Sequence, residues 1–326
     1  MTHGFLLGKF MPPHNGHVLL CEFATAYVDT LTILVCSLPD DPIPGALRHR
    51  WMAKLFPHAR VAHLDRPDVP QLPEDHPAFW HIWRGIVNEF DDRPIDCVFA
   101  SESYGHRLAQ EVGARFVPFD LARAAAPVSG TAVRADPFRN WRYLPPPVRG
   151  YFSKRVCLFG PESSGKTTLA NDLAKALDTI CVSEYGRIYT ENFGVDCTAD
   201  DLRRIAAGHD AATKALRQHA NRVLLCDTDP LLTALWSQML LGKRDPELDA
   251  FNDYADLYLL TDIDMPWSDD GTRYFPEATR RKIFFDLCRA ELEARRLPYV
   301  LISGPPARRL QIALAAIDAH FPNLQF

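Results

Sequence analysis

The sequence predicts an α/β protein made of two doubly wound parallel-sheet domains. Short apolar segments alternate with amphipathic ones along the whole chain, which is the rhythm of βαβ units in a parallel sheet. The chain has 326 residues, about twice the size of a common domain. Two glycine-containing motifs, at residues 8–17 and 160–167, each follow an apolar segment and precede a helix-like stretch. Each motif therefore opens a βα unit of its own.

The first sheet is predicted from the apolar segments that precede residue 143. They alternate with amphipathic stretches, among them residues 16–27 and the tryptophan-bearing residues 78–89. The predicted strands are residues 5–7, 31–36, 60–64, 97–101 and 114–119.

The boundary between the domains is placed at residues 143–150, which contain three consecutive prolines. Proline lacks the backbone N–H and clashes with the preceding turn, so this segment is expected to break any helix. The domains then comprise residues 1–148 and 149–326. A second set of apolar segments predicts the second sheet, at residues 155–159, 179–182, 222–226, 257–260 and 299–302.

The composition argues against several classes of function. Hydrophobic residues make up 47% of the chain, charged residues 24%, and the formal net charge is -5, so no basic face for nucleic acid is expected. The eight cysteines are scattered without a C-x-x-C pair, which is typical of buried, reduced thiols in the cytosol. The apolar runs are far shorter than the roughly 20 residues of a membrane span. We expect a cytoplasmic protein that binds neither membrane nor nucleic acid.

The segment 160–167 fits the pattern G-x-x-x-x-G-K-[ST], directly after an apolar strand and directly before a helix. Its glycines allow a tight turn in which successive N–H groups face a β-phosphate. Lys166 would add a mobile positive charge and act in catalysis, and the Thr167 hydroxyl can ligate Mg²⁺. The predicted ATP contacts here are Gly160, Ser163, Ser164, Gly165, Lys166, Thr167 and Thr168.

Two aspartates follow the strand predicted at 222–226, where side chains emerge at the carboxyl edge of the sheet, beside the phosphates. Asp227 is the favoured catalytic and magnesium-binding residue, either holding the ion through water or taking a proton from an acceptor hydroxyl. Asp229 is a predicted substrate contact, although its place before Pro230 also fits a helix N-cap.

The acceptor and a lid are predicted from two further polar segments. Glu184, Tyr185 and Arg187 follow another strand end, where they could bind the ribose hydroxyls and phosphate of an acceptor. Residues 269–273 lie between a strand and a helix, the usual place of a lid over a transferring phosphoryl group. Arg273 in that lid would bind ATP and neutralise transition-state charge. A solvated surface is the competing interpretation for at least one of the following cations, Arg280, Arg281 and Lys282.

The first motif places His14 and His17 at the start of a helix, directly after a strand, with Gly16 allowing close approach of a ligand. Two histidines three residues apart can face one anion together. Zinc is disfavoured because no third Cys, His or acidic ligand lies nearby in sequence at helical spacing. A simple helix cap would not explain the pair together with the preceding Gly8, Lys9 and Phe10.

Together with a later segment, this motif resembles the nucleotidyltransferase α/β-phosphodiesterase superfamily. The hallmark is [ST/GK]-x-F-x-P-x-H-x-G-H followed by I-S-x-T-x-x-R, and residues 128–134 supply the second part as Val-Ser-Gly-Thr-Ala-Val-Arg. The resemblance implies that an acceptor phosphate attacks the α-phosphate of ATP in line and that pyrophosphate leaves without a covalent enzyme intermediate. Gly8, Lys9, Phe10, Ser129 and Thr131 would then bind ATP, and His14, His17 and Arg134 would act in catalysis.

The order of the two motifs, with segments 183–187, 227–229 and 267–273, resembles the NadR family. Its members join nicotinamide mononucleotide (NMN) adenylyltransferase to ribosylnicotinamide kinase, and the resemblance covers essentially the whole chain. It implies a nucleotidyltransferase domain with a Rossmann-like fold, followed by a P-loop kinase domain. Nicotinamide riboside would be phosphorylated with ATP and Mg²⁺ in the second domain, and NMN would be adenylylated to NAD in the first. A homo-oligomer is compatible with the sequence.

The chain departs from the family in two places. Some members begin with a helix-turn-helix repressor domain that is absent here, so autoregulation by DNA binding is not expected. Relatives carry a tryptophan where this chain has Ser183. If that ring stacks the nicotinamide, either Tyr185, Tyr189 or Trp267 must take its place or the affinity falls.

In the first domain, Trp80 and Trp83 are the predicted substrate contacts. A cationic pyridinium ring gains from an aromatic face, so either indole could stack the nicotinamide. Packing in the core would explain both tryptophans equally well, since they share one helix face.

Two other interpretations stay open. Phosphopantetheine adenylyltransferase fused to dephospho-coenzyme A kinase would have the same folds, but the paired tryptophans and segment 184–187 argue against it. A nucleotide-sensing regulator without turnover would be a different class of protein. The intact residues Lys166, Thr167, His14, His17 and Arg134 argue against such a loss of catalysis.

Overall fold

The computed structural model describes residues 1–268, 271 and 273–324. The chain divides into two compact units, Met1–Val148 and Arg149–Phe326. In the described residues each unit contains a five-stranded sheet whose strands pair in parallel. The predicted fold class, two doubly wound parallel sheets, is confirmed. No helix in these ranges is long and apolar enough to cross a membrane.

The sheet of the first unit has β1 at its centre. Its strands are β1 His3–Gly8, β2 Thr30–Ser37, β3 Arg60–Asp65, β4 Cys97–Ala100 and β5 Arg115–Pro118. Its helices are α1 Asn15–Tyr27, α2 Gly45–Leu55, α3 Phe79–Phe90, α4 Tyr104–Val112, α5 Gly130–Ala135 and, at the boundary, α6 Pro146–Phe152. Short 3₁₀ helices are Pro73–Asp75 and Trp141–Tyr143. Because the strand order is β3-β2-β1-β4-β5, the chain switches direction at β1 and a crevice forms at its carboxyl end.

Both faces of this sheet are buried, which explains the continuous apolar runs of the sequence. Phe5 and Leu34 point to one face, where they pack with α3 and α4, and both are 0% exposed. Leu6 and Ile33 point to the opposite face, where they pack with α1 and α2. The alternation along each strand thus builds two cores from one sheet.

The sheet of the second unit has β6 at its centre. Its strands are β6 Lys154–Phe159, β7 Cys181–Val182, β8 Val223–Asp227, β9 Leu257–Thr261 and β10 Tyr299–Ile302. Its helices are α7 Lys166–Ala176, α8 Tyr185–Phe193, α9 Ala199–Leu216, α10 Pro230–Leu241, α11 Pro246–Asp249, α12 Ala278–Ala294 and α13 Pro306–His320, with a 3₁₀ helix at Arg217–His219. The strand order β10-β9-β6-β8-β7 places the loop after β6 beside the end of β8.

The proline segment at the domain boundary differs from its prediction. Helix α6 begins at Pro146, inside the segment expected to break any helix. That expectation was wrong because Pro146 and Pro147 occupy the first turn of the helix. N–H groups there have no acceptor within the helix, and the fixed φ of proline suits a helical start.

Candidate active sites

A cavity of about 830 Å³ opens at the carboxyl end of the first sheet. The residues predicted for this domain all line it, namely Gly8, Lys9, Phe10, His14, His17, Trp80, Trp83, Ser129, Thr131 and Arg134. The fold therefore brings the two halves of the superfamily signature to one place, as the switch at β1 requires.

The two histidines of the first motif form a stacked, neutral pair. Their ring centroids lie 3.7 Å apart with an interplanar angle of 24°. The His14 backbone N–H donates to His17 Nδ1 over 3.3 Å, which leaves His17 Nε2 to carry the proton. Burial, aided by the positive charge of Arg123, lowers the pKa of His14 to about 4, and burial lowers the pKa of His17 well below its usual range. Near pH 7 both rings are neutral N–H donors.

The second signature segment packs directly on the first. A side chain at Gly130 would meet Met11 O at 2.6 Å, so only glycine allows this approach. Arg134 donates to Met11 O and, over 3.2 Å, to Thr131 Oγ1. Ser129 caps helix α5 by accepting from the Ala132 N–H. These contacts hold the Arg134 guanidinium beside the first motif.

Arg123 is a cavity residue that the sequence analysis did not predict. It lines the first cavity, and its charge helps to lower the pKa of both motif histidines. Its backbone has a φ of 52°, and its guanidinium pairs with Glu102 over 3.1 Å. Its loop carries no recognised pattern, and only the fold reveals that this cation faces the motif.

The two tryptophans of α3 differ in what they offer to a ligand. Trp83 is 7% exposed and donates its indole N–H to Pro70 O over 3.0 Å. Trp80 is only partly buried and packs edge-on against Phe79. Core packing therefore explains the position of Trp83. Trp80 is the better placed of the two to stack on a ligand ring.

The loop between β6 and α7, residues 160–165, which we call the phosphate loop, takes a shape that its glycines allow. Gly160 and Gly165 have φ of 138° and 82°. A side chain at Gly160 would lie 2.8 Å from Thr261 Oγ1. The Ser164 hydroxyl lies 2.7 Å from both Pro161 O and Thr261 Oγ1. The loop is thus held from β9 as well as from its own strand.

Lys166, Thr167 and Asp227 meet at the start of α7. Lys166 is 6% exposed and its Nζ donates to Pro161 O over 2.8 Å. The Thr167 hydroxyl donates to Asp227 Oδ2 over 2.6 Å. Asp227 is 1% exposed, and its Oδ1 has no hydrogen-bond partner within the described ranges. Burial raises the pKa of Asp227, and the charge of Lys166 opposes that shift.

The donor set at Asp227 fits Mg²⁺. A hydroxyl and a buried carboxylate with one unpaired oxygen are hard oxygen ligands, and magnesium typically uses one or two such protein groups together with substrate phosphates. No cluster of three or more His, Cys, Asp or Glu side chains that could hold a metal by themselves occurs in the described part of the chain.

A second cavity, which we call the acceptor cavity, lies between α8, α9 and α10. Of the predicted residues, Glu184, Tyr185, Arg187 and Arg273 line it. Burial raises the pKa of Glu184; the charge of Lys166 opposes this shift, and the charge of Asp227 adds to it. The other lining residues are Glu162, Gly186, Thr190, Cys197, Leu202, Ile205, His209, Thr228, Leu232, Thr233, Trp236, Leu240 and Tyr274.

Asp229 has a structural role instead of the predicted contact with substrate. Its Oδ1 accepts from the Leu232 N–H over 3.1 Å, which caps α10, and its Oδ2 accepts from the Tyr258 hydroxyl over 2.7 Å. Both carboxylate oxygens are therefore occupied. The N-cap alternative explains this residue.

Of the three aromatic residues proposed to replace the missing tryptophan, Tyr185 lines the acceptor cavity and the other two do not. Trp267 does not line the acceptor cavity; the N–H of the next residue, Ser268, donates to Ser163 Oγ over 3.0 Å. The Tyr189 hydroxyl donates to Asp201 over 2.6 Å. Tyr185 lines the acceptor cavity together with Trp236 and Tyr274, two residues that the sequence analysis missed.

The lid segment contacts the phosphate loop at several points. Arg273 Nη1 donates to Ser163 Oγ over 2.5 Å. The Glu162 carboxylate accepts from the Phe275 N–H over 2.6 Å, which ties the end of the lid to the loop. Arg281, 6% exposed, donates to Ser163 O over 3.3 Å. Asp269, Asp270 and Thr272 of the predicted lid lie outside the described residues.

Arg309 on α13 is another residue without a sequence signal. It is 2% exposed and donates to Ser164 O and to Gly304 O, each over 2.7 Å. It also pairs with Asp264. The guanidinium therefore fixes the phosphate loop to the end of the sheet.

Comparison with known proteins gives one match within the second unit and several that span both units. A sequence family described as an AAA domain matches residues 155–309. The trifunctional NAD biosynthesis/regulator protein NadR of Escherichia coli (strain K12) is 30% identical over 325 residues, which cover 92% of this chain and 78% of the relative. Crystal structures of a NadR protein in complex with NR, 21% identical, and in complex with NAD and AMP-PNP, 22% identical, both have a TM-score of 0.75 and cover 98% of this chain and 96% of their own.

Proposed function

The chain belongs to the NadR family, and from this premise we propose that it makes NAD from nicotinamide riboside in two steps. The second unit phosphorylates the riboside with ATP to give NMN, and the first unit adenylylates NMN with a second ATP to give NAD and pyrophosphate. The observation that carries the proposal is the coexistence of two separate nucleotide-type sites in a chain that matches an NAD biosynthesis protein over 92% of its length.

In the second unit, each group of the site has a separate role in phosphoryl transfer. The backbone of residues 160–165 and the Lys166 ammonium hold the β- and γ-phosphates. Thr167 and Asp227 would hold Mg²⁺, which when bound neutralises charge on the β- and γ-oxygens. Glu184, which lines the acceptor cavity and lies close to Lys166, takes the proton of the attacking 5′-hydroxyl. Arg273 neutralises charge on the transferring group.

In the first unit, a phosphate oxygen of NMN attacks the α-phosphorus of ATP and the bond to the pyrophosphate breaks. His14 and His17, neutral because they are buried, donate N–H groups to the phosphate oxygens. Arg134 and Arg123 supply positive charge for the leaving pyrophosphate. Trp80 stacks the nicotinamide ring of NMN.

The alternatives from the sequence are not favoured. The E. coli relative that matches 92% of the chain is an NAD biosynthesis protein, and its match spans both units, which argues against the coenzyme A pair. Both sites also keep the cations and hydroxyls that turnover needs.

The proposal is tested by incubating the purified chain with ATP, Mg²⁺ and nicotinamide riboside and separating the products by chromatography. We expect NMN to appear first and NAD to follow. A parallel incubation with dephospho-coenzyme A should give no product. Absence of both NMN and NAD from the riboside, with a folded protein, would sink the proposal.

A further inference from the structure

One polar side chain interrupts the apolar face that α9 turns toward the acceptor cavity. Leu202, Ile205 and His209 recur at helical spacing and line the cavity together. His209 is 2% exposed, and neither ring nitrogen has a hydrogen-bond partner in the described part of the protein. A neutral imidazole offers one donor and one acceptor, and buried polar groups in native proteins are almost always paired. The missing partner is therefore expected from a ligand.

The surroundings of His209 suit a flat aromatic ligand. The preceding residue is Gly208, and a side chain there would come within 2.2 Å of the Tyr185 ring, so the tyrosine packs against the helix where glycine leaves room. Trp236 and Tyr274 line the same cavity, with their ring centroids 5.5 Å apart. Three aromatic rings and one imidazole thus share this cavity.

The positions of Glu184 and His209 in the cavity indicate how an acceptor is oriented. Val182 of β7 pairs with Cys226 of β8, so Glu184 and Asp227 follow their strands at the same edge of the sheet, and we place the hydroxyl that attacks ATP at that side of the cavity. His209 instead lines the cavity from α9, on the apolar face that it shares with Leu202 and Ile205, and this face suits the part of the acceptor that does not react.

We propose that His209 determines specificity in the kinase unit by hydrogen-bonding the carboxamide of the nicotinamide ring. This inference rests on the proposed function and deepens it. The carboxamide is the polar group that the non-reacting end of nicotinamide riboside presents, and it can meet either ring nitrogen with a donor or an acceptor. Burial lowers the pKa of His209 to about 4, so the ring is neutral near pH 7 and does not repel the cationic pyridinium.

The test removes the proposed hydrogen bond in two ways, by replacing His209 in the protein and by removing the carboxamide from the substrate. Wild type, His209→Phe and His209→Gln are assayed for phosphorylation of nicotinamide riboside and of the pyridinium riboside that lacks the carboxamide. We expect wild type to prefer nicotinamide riboside by about 10- to 100-fold in kcat/KM. His209→Phe should lose that preference through a fall for nicotinamide riboside alone, and His209→Gln, which keeps a donor and an acceptor, should retain part of it.

Controls separate a local effect from a global one. His219→Phe replaces an exposed histidine just after α9 and should leave both rates unchanged. The KM for ATP and the adenylylation of supplied NMN should be the same in all variants. If the phenylalanine variant fails to fold, His209→Leu carries the same comparison.

The outcomes distinguish a failure of the His209 proposal from a failure of the proposed function on which it rests. An equal loss for both ribosides, or an undiminished preference in His209→Phe, overturns the role of His209 while the proposed function stands. A wild-type protein that phosphorylates neither riboside overturns the proposed function itself.

Discussion

Thr167 and Asp227, 60 residues apart in sequence, are joined by a hydrogen bond of 2.6 Å from the hydroxyl to Oδ2. The bond exists because β6 and β8 are adjacent parallel strands, in which Leu158 pairs with Asp227. The carboxyl ends of both strands therefore reach the same edge of the sheet. The phosphate loop and the end of β8 therefore form one site.

Replacing Lys166 by alanine should remove one activity and spare the other. The buried ammonium is the cation of the phosphate loop, so Lys166→Ala should lower NMN formation from the riboside by at least about 100-fold. Adenylylation of supplied NMN should remain at the wild-type rate. Both rates are measured on the same preparation by chromatography of NMN and NAD.

Replacing His17 by alanine should give the reverse result. The neutral ring is packed between His14 and Phe10 and donates into the first cavity. Its loss should lower NAD formation from NMN by about 100-fold and leave phosphorylation of the riboside unchanged. If either this variant or Lys166→Ala eliminated both activities while still folded, the division into two sites would be wrong.

The contact between Gly208 and Tyr185 predicts a penalty for a single methyl group. Gly208→Ala places a carbon 2.2 Å from the tyrosine ring, and overpacking of this kind costs about 1–3 kcal/mol, more than alanine gains in a helix. Thermal unfolding should occur at lower temperature, and the KM for the riboside should rise as Tyr185 is displaced. The matched control is Gly85→Ala in α3, whose added carbon meets nothing within 4 Å and should not destabilise. Equal stability of the two variants would refute the contact.

Burial of His209 predicts a pH dependence of stability. Its folded pKa of about 4 lies below the ordinary value of 6.5, so the unfolded chain takes up the proton first as the pH falls. The free energy of unfolding should therefore decrease from pH 6.5 toward pH 4, by about 2 kcal/mol at pH 5 from this residue. Urea unfolding of wild type and His209→Gln near pH 7 and pH 5 measures the difference. The expectation fails if the free energy of unfolding falls by the same amount between pH 7 and pH 5 in both proteins.

The sequence reveals the strands and loops of this protein better than its cavities. The segments 31–36 and 222–226 are confirmed as β2 and β8, because strands buried on both faces read as continuous apolar runs. The second motif forms the expected loop, in which Gly160 and Gly165 have the positive φ that favours glycine. His209, Trp236 and Arg309 escaped notice because each lies on a helix within an ordinary pattern, and only tertiary packing brings them to a site.

The most direct test of the two-step account follows one phosphate from ATP into NAD. The chain is incubated with nicotinamide riboside and ATP radiolabelled at the γ-phosphate, and the NAD formed is isolated and cleaved at its pyrophosphate. If the second unit makes NMN and the first unit consumes it, the label must appear in NAD and lie entirely in the NMN half. NAD without label, or label in the AMP half, would contradict the account.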